Sequence, residues 1–318
     1  MYICGVIFIP CVFLSCGAGV FCEEEFILSK GGSFMKNDGY SIHTHISEKE
    51  KKLNLKLDEV WRYRELILLF TKRSFKVAYK QTILGPLWLF INPFLTSIVY
   101  TVLFGHIAGL STDGIPQILF YLTGTTVWSF FSTCLSNNAS TFIGNAGLFG
   151  KIYFPRLTVP LSNVLSAMIR LAISMSMVLL LLFYFCLRGE LSPHWSAWLL
   201  IPFILIWLGL FGMECGILIS SMTTKYRDLS VLVSFGLSLW MYASPVVYPL
   251  SQLPDSWIRG LNQYNPVSAP LELIRYALLG KGSLLPGSIF FSLALTFVLG
   301  FISILVFNRV ERNFIDTI

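Results

Sequence analysis

Charged residues are scarce in this chain. Of its 318 residues, 13% are charged, whereas 55% are hydrophobic and 15% are aromatic. Soluble domains carry roughly 25% charged residues. The mean hydropathy of +0.69 points in the same direction. The composition therefore excludes an ordinary soluble domain and predicts an all-α integral membrane protein.

Paired aspartates are also lacking. The six aspartates are all separate from one another in the sequence: Asp38, Asp58, Asp113, Asp228, Asp255 and Asp316. Membrane transferases that act on lipid-linked sugars usually need acidic groups in pairs, for metal binding or acid–base catalysis. The four histidines are scattered, and Cys134, Cys186 and Cys215 have no metal or redox spacing. We therefore expect no catalytic residue and no metal site, and a transferase is kept only as an alternative.

A phosphate-binding loop is absent as well. Gly150-Lys151 and Gly280-Lys281 lack both the upstream glycine and the following hydroxyl residue of G-x-x-x-x-G-K-[ST]. The chain cannot hydrolyse ATP by that route. The net charge of +6 does not indicate nucleic-acid binding, because the basic residues lie at the ends of apolar tracts, as anionic lipid favours.

Long apolar tracts are abundant. A helix needs about 20 apolar residues to cross a bilayer, and six tracts satisfy this: Leu87–Gly109, Gln117–Leu135, Val159–Leu187, Trp195–Ser221, Leu229–Tyr248 and Pro286–Phe307. With the N-terminus inside, nearly all separating basic residues are cytoplasmic. Only four fall outside: Arg188, Arg259, Arg275 and Lys281. The positive-inside rule then predicts six transmembrane helices with both termini in the cytoplasm.

The first 34 residues are apolar but have no basic n-region. They read as a signal peptide, as a lipoprotein signal ending at Cys16, or as an additional helix with its N-terminus outside. We favour an upstream extension with the native start at Met35. The domains are then 1–34 extension, 35–85 cytoplasmic tail and amphipathic helix, 86–312 transmembrane domain, and 313–318 cytoplasmic tail.

Two charges fall inside predicted spans, Arg170 in the third and Glu214 in the fourth. Each costs about 2.5–3.5 kcal/mol to insert on translocon scales unless it faces protein or water. Such residues are functional candidates, and both could line a pathway. The alternative is that Arg170 and Glu214 pair and only hold two helices together.

Two segments are neither spans nor ordinary loops. Asp58–Gly85 mixes aromatic and basic residues and predicts an amphipathic helix in the membrane interface. Ser251–Gly282 holds two segments, separated by Asn265-Pro266 and each too short to cross. It predicts a re-entrant helical hairpin between spans five and six, with Glu272 and Arg275 able to meet at i,i+3.

Several motifs together resemble the membrane subunit of a type-2 ABC exporter of the polysaccharide/O-antigen class. They occur in order from about Asp58 to Arg312: YKQTILGPLWLFINPFLTSIVYTVLFG, NAGLFGKIYFPRLTVPLS, TTKYRDL, ASPVVYP and LNQYNPVSAPLELIRYALLG. The resemblance implies an inner-membrane permease that moves an undecaprenyl-pyrophosphate-linked polysaccharide. It also implies a homodimer that works with two copies of a cytoplasmic ATPase, to which ATP and Mg bind. A teichoic-acid exporter shares these motifs and is the alternative.

The resemblance also suggests site residues. The loop GKIYFPRLTVP, with TTKYRDL, implies docking onto the ATPase through Phe149, Lys151, Tyr153, Phe154, Pro155, Arg156, Lys225, Tyr226, Arg227 and Asp228. A plain positive-inside loop is the alternative. The amphipathic segment implies pyrophosphate contact by Arg73, Lys76, Tyr79 and Lys80, with lipid anchoring as the alternative.

Five aromatic residues near the outer half of the spans are candidates for stacking on sugar rings in the channel. They are Tyr121, Trp128, Trp240, Tyr242 and Tyr248. An aromatic belt at the membrane interface is the alternative. The hairpin Ser251–Gly282 corresponds to the family's periplasmic gate.

Overall fold

The computed structural model describes residues 57–80, 82–149, 154–223, 226, 228–253 and 257–315. All of them belong to one compact unit, 49–318. Within these ranges the regular structure is helical, without strands. The α-helices are α1 Leu57–Arg62, α2 Arg64–Tyr79, α3 Trp88–Tyr100, α4 Gln117–Ala139, α5 Thr141–Gly144, α6 Ala146–Phe149, α7 Thr158–Leu187, α8 Ile201–Thr223, α9 Leu229–Tyr242, α10 Trp257–Gln263, α11 Ser268–Leu279 and α12 Pro286–Ile315. The proposed extension 1–34 and the tail 313–318 lie wholly or partly outside the described residues.

Five helical segments are long and apolar enough to cross a membrane. They are Gly85–Ile107, Gln117–Ala139, Thr158–Leu187, Trp195–Thr223 and Pro286–Val310. The first continues α3 through a short π-helical stretch, Thr101–Ile107. These five agree with the predicted first, second, third, fourth and sixth spans.

The fifth predicted span is shorter than expected. We predicted Leu229–Tyr248, but α9 ends at Tyr242 after 14 residues, or about 21 Å at 1.5 Å per residue. Pro245 explains the early end, because proline lacks an N–H and disfavours a helical residue before it. The Asn265 side chain then donates to the Ala243 carbonyl at 3.3 Å and to Ser244 Oγ at 2.9 Å. α9 is therefore an apolar helix below the length needed for a straight crossing.

α4 lies at the centre of the helix bundle. In its most apolar stretch 78% of the residues are buried, against 6% in the first span. Two of its threonine hydroxyls bond within the helix: Thr123 donates to the Leu119 carbonyl and Thr125 to the Tyr121 carbonyl, each at 2.8 Å, whereas the Tyr121 and Thr126 hydroxyls are buried without a partner among the described residues. Buried hydroxyls that bond the preceding turn carry no unsatisfied donor. A comparatively polar helix can therefore occupy the core.

α8 approaches α4 through a face of glycines. A Cβ placed on Gly216 would lie 2.5 Å from Asn138 Cβ, and one on Gly212 would lie 2.9 Å from Cys134 Cβ. Small residues four apart permit such close approach in membrane helices. The glycine face therefore fixes α8 against the central helix.

α1 and α2 occupy most of the segment predicted to be an amphipathic helix, Asp58–Gly85, with a break at Tyr63. α2 packs along α7 through a narrow buried side. Thr71 is 2% exposed and donates to the Ile67 carbonyl at 2.8 Å. The opposite side of α2 is open and carries most of its basic residues.

Candidate coupling and substrate-entry site

Five phenylalanines gather where α2, the loop after α6, and α12 meet. We call Phe70, Phe142, Phe149, Phe154 and Phe307 the phenylalanine cluster. Phe154 lies 5.7 Å from Phe70 and 5.7 Å from Phe149, ring centre to ring centre. Phe142 continues the cluster to Phe307 at 5.5 Å. The loop that precedes α7 is thus packed directly against the amphipathic helix.

Three of the residues predicted to dock onto the ATPase take part in this packing. Phe149 is 8% exposed, Phe154 5% and Arg156 9%, and the Arg156 guanidinium lies 5.6 Å from the Phe149 ring centre. In this protomer Phe149, Phe154 and Arg156 therefore pack inward and help to hold the loop in place, and their predicted contact with an ATPase stays a prediction.

Other predicted docking residues remain accessible or lie outside the described residues. Tyr226 is 56% exposed, Asp228 is exposed and Pro155 is partly exposed. Four residues fall outside the described ranges: Lys151, Tyr153, Lys225 and Arg227. Of the residues predicted to dock, Pro155, Tyr226 and Asp228 are the ones that are both described and at least partly exposed.

The C-terminal half of α2 forms what we call the basic edge, made of Arg73, Lys76 and Lys80. All three side chains are exposed, and Tyr79 beside them is half-buried. Tyr79 contacts Phe75 at 4.9 Å, and the Arg170 guanidinium of α7 lies 5.8 Å from the Tyr79 ring centre. Arg170 thus adds a fourth positive charge to this end of α2.

Arg170 and Glu214 do not form the ion pair considered above. Within the described residues, the Arg170 Nε and one Glu214 carboxylate oxygen have no hydrogen-bond partner. Arg170 lies between α7 and α2, whereas Glu214 faces α12, where a Cβ on Gly300 would come 2.8 Å from Glu214 Oε1. The two charges therefore belong to different helix interfaces.

Two short helices, α10 and α11, lie in the segment predicted to be a re-entrant hairpin and are joined by a short turn at Asn265-Pro266. Glu272 and Arg275 meet at 3.1 Å between Oε1 and Nη1, as predicted, and both are buried. Arg275 also donates to the carbonyl oxygens of Pro245 and Val246. Burial lowers the pKa of the Arg275 guanidinium, and Glu272 opposes this. Arg275 therefore fastens the hairpin to the turn that follows α9.

A second set of contacts joins the hairpin region to the loop between α3 and α4. The Ser251 hydroxyl donates to Asp113 Oδ2 at 2.6 Å, and Lys281 Nζ donates to the Asp113 carbonyl at 2.6 Å. Asp113 is thus bound by residues at both ends of the segment Ser251–Gly282.

The five aromatic channel candidates occupy different environments. Tyr121 is fully buried and Trp128 is 6% exposed, so in this protomer neither ring lies on a surface that a sugar reaches. Trp240 packs on Phe131 at 5.3 Å and donates to Asn265 Oδ1 at 3.1 Å. Only Tyr242 is more than half exposed, at 53%.

Tyr248 is partly buried and belongs to a polar contact that the sequence did not reveal. Its hydroxyl donates to Asn262 Oδ1 at 3.1 Å. Together with the Trp240–Asn265 bond, this contact joins the end of α9 to the hairpin. The signal in the sequence was the pair Asn262 and Asn265, just before and within the Asn265-Pro266 turn.

In the described part of the chain, no group of three His, Cys, Asp or Glu side chains is arranged to hold a metal ion. The site consists instead of a buried aromatic cluster beside a basic helix edge, with a fastened hairpin elsewhere in the fold. Residues 65–279, more than half of the chain, match the family described as ABC-2 type transporter. The match includes the basic edge and the hairpin up to Leu279, but not α12 with Phe307. The chain belongs to the ABC-2 transporter family. As a member it is a transporter component and not an enzyme, as the sequence predicted.

Named relatives agree with this assignment. An O-antigen export system permease protein RfbA of Klebsiella pneumoniae is 29% identical over 256 residues, which cover 79% of this chain and 94% of the relative. A protein of the same name from Myxococcus xanthus is 30% identical, over 64% of this chain and 75% of the relative. The inner membrane transport permease YadH of Escherichia coli K12 is 22% identical, over 60% and 75%.

Proposed function

We propose that this protein is the permease subunit of an ATP-driven exporter, which moves an undecaprenyl-pyrophosphate-linked polysaccharide of O-antigen type across the inner membrane. The O-antigen permeases among its relatives support the substrate class. The observation that carries the mechanism is the contact of Phe154 with Phe70 at 5.7 Å. It joins the loop that would meet an ATPase to the helix that would meet the substrate.

Energy enters through a separate ATPase, which binds ATP and Mg. Two copies of it dock on a homodimer of this chain, at Pro155, Tyr226 and Asp228 and at the adjoining loop residues 150–153 and 224–227. When the ATPase closes, the loop moves. Because interiors are close-packed and transmit displacement, the phenylalanine cluster passes this movement to α2.

The substrate enters beside α2. Arg73, Lys76 and Lys80 are exposed on one side of this helix, and Arg170 lies at its end beside Tyr79. A pyrophosphate carries several negative charges, and ammonium and guanidinium groups form its strongest hydrogen bonds. The basic edge therefore receives the pyrophosphate, with Tyr79 held in position by Arg170 and Phe75.

The polymer leaves past the hairpin α10–α11, which closes the outer end of the path. Tyr242, with Trp240 and Tyr248, lines the approach to it. The bonds from Trp240 to Asn265 and from Tyr248 to Asn262 hold α9 and the hairpin in a fixed relative position while the polymer moves.

Gene deletion in the host tests this function. A cell without the protein should accumulate undecaprenyl-linked polymer on the cytoplasmic side, measured by extracting lipid-linked glycan and probing surface polysaccharide. Complementation with the intact gene should return the polymer to the surface. Loss of polymer synthesis itself, with no lipid-linked intermediate, would contradict export and favour a transferase.

A further inference from the structure

An open pocket lies at the junction of α1 and α2, far along the helix from the basic edge. Its volume is about 330 Å³, and it is lined by Asp58, Trp61, Arg62, Arg64 and Glu65. This is at the lower end of the range for small-ligand sites, about 300–1,000 Å³. No step of the proposed transport cycle uses it.

The centre of the pocket is an exposed indole. Trp61 is 72% exposed, and the Arg64 guanidinium lies 5.9 Å from its ring centre. Tryptophan buries the largest apolar surface of any side chain when it finds a partner. The described residues of the chain therefore leave one face of this ring free to contact another molecule.

The charges around the indole are available too. Among the described residues, the side chains of Asp58, Arg62 and Glu65 make no hydrogen bond or ion pair with each other or with their neighbours. Carboxylates offer acceptors only and guanidinium groups donors only. The pocket therefore presents an aromatic face with both kinds of hydrogen-bonding group around it.

A lipid surface accounts for only part of this lining. Helices that lie in the interface place Lys and Arg beside their aromatic residues, as Arg62 and Arg64 lie beside Trp61, and inner leaflets are anionic. Asp58 and Glu65, which line the same pocket, would be repelled from such a surface. A sugar ring fits better, because its apolar C–H face packs on an indole while its hydroxyls donate to carboxylates and accept from guanidinium groups.

We propose that this pocket is a glycan-binding subsite that holds a sugar residue of the transported polymer on the cytoplasmic side. This inference rests on the proposed function and deepens it. Trp61 and Lys76 are separated along the helical segment by roughly 22 Å at 1.5 Å per residue. With the pyrophosphate bound at the basic edge, the pocket would hold a sugar residue several units further along the polymer.

Binding can be measured without transport. The protein is labelled with 5-fluorotryptophan in nanodiscs and titrated with oligosaccharides prepared by partial acid hydrolysis of the host's surface polysaccharide. The chain has 8 tryptophans, and the Trp61 fluorine signal is the one missing from Trp61→Phe. We expect the oligosaccharide to shift this signal, with binding about tenfold weaker in Trp61→Ala and changed by less than about threefold in Trp61→Phe.

The matched control is Trp195→Ala, because Trp195 is also exposed, at 66%, but lies at the other end of the spans. It should bind the oligosaccharide like the wild type. Glu65→Gln should weaken binding by several-fold, through loss of a charged acceptor. Size-exclusion profiles check that every variant folds, as expected for an exposed ring.

Three results would overturn the subsite. The first is unchanged oligosaccharide binding in Trp61→Ala. The second is quenching of Trp61 by brominated lipid, which would place the ring in the membrane. The third is loss of the co-purifying ATPase in Trp61→Ala, which would make the pocket a protein contact. Each result is independent of the deletion experiment, so the subsite can fail while export stands.

Discussion

Arg275 and Glu272 form a buried ion pair, with 3.1 Å between Nη1 and Oε1. The guanidinium is stacked 3.8 Å from the centre of the Phe120 ring and also donates to the Val246 carbonyl at 2.8 Å. The other carboxylate oxygen of Glu272 accepts from the Ser283 N–H at 2.9 Å. One arginine therefore ties α11 to α4 and to the turn after α9.

Replacing this arginine should destabilise the protein. In Arg275→Met the Glu272 carboxylate stays buried without its partner, and we expect a loss of about 3–5 kcal/mol in the free energy of unfolding. Thermal unfolding in detergent measures the change. The control is Arg188→Met, because Arg188 is exposed and only stacks on Tyr184 at 4.7 Å. Equal unfolding temperatures for Arg275→Met and the wild type would contradict the role of the pair.

Glycine substitutions in α8 should follow the spacing to α4. The new methyl of Gly216→Ala would lie 2.5 Å from Asn138 Cβ and that of Gly212→Ala 2.9 Å from Cys134 Cβ. We expect Gly216→Ala to lose the most stability, within about 1–3 kcal/mol. Gly236→Ala in α9 meets nothing within 4 Å and serves as the control. If the three variants unfolded at the same temperature, α8 and α4 would not pack this closely.

Coupling through the phenylalanine cluster can be measured as glycan moved per ATP hydrolysed. In proteoliposomes with the partner ATPase, Phe154→Leu and Phe70→Leu should each lower this ratio, because a smaller side chain loosens the contact between loop and α2. The double variant should be little worse than either single one, as expected for contacting residues. Phe297→Leu is the control, since Phe297 is 78% exposed on α12. If Phe154→Leu lowered this ratio but Phe70→Leu did not, α2 would not be part of the coupling route.

Charge removal on α2 should separate substrate contact from lipid anchoring. We expect Lys76→Gln and Lys80→Gln to lower export several-fold and Lys76→Arg to retain it, since the pyrophosphate needs a cationic donor. Lys72→Gln is the comparison variant, because Lys72 is exposed on the same helix one turn before Lys76, nearer the start of the helix than the three residues of the basic edge. Export is measured as surface polysaccharide at equal protein level. Equal losses in Lys72→Gln and Lys76→Gln would indicate anchoring by charge alone.

Much of the helical framework could be predicted because membrane insertion is decided by local composition. The apolar tracts needed only length and hydropathy, and five of the expected spans begin and end within about four residues of the predicted positions. The amphipathic α2 and the Glu272–Arg275 contact are also local, since both follow from residue spacing on one helix. The fifth span was overestimated because Pro245 and the capping by Asn265 end α9 at Tyr242.

The sequence by itself determined that the chain is helical and membrane-embedded, and where its basic and aromatic segments lie. Only the tertiary structure decided which of those side chains are accessible. Phe154 and Arg156 looked like a docking surface but are buried against α2 and α6, and Tyr121 and Trp128 are enclosed while Tyr242 is open. Arg170 and Glu214 face different helices. Burial depends on contacts between residues distant in the chain, and hydrophobic or charged character alone does not specify which neighbour each side chain meets.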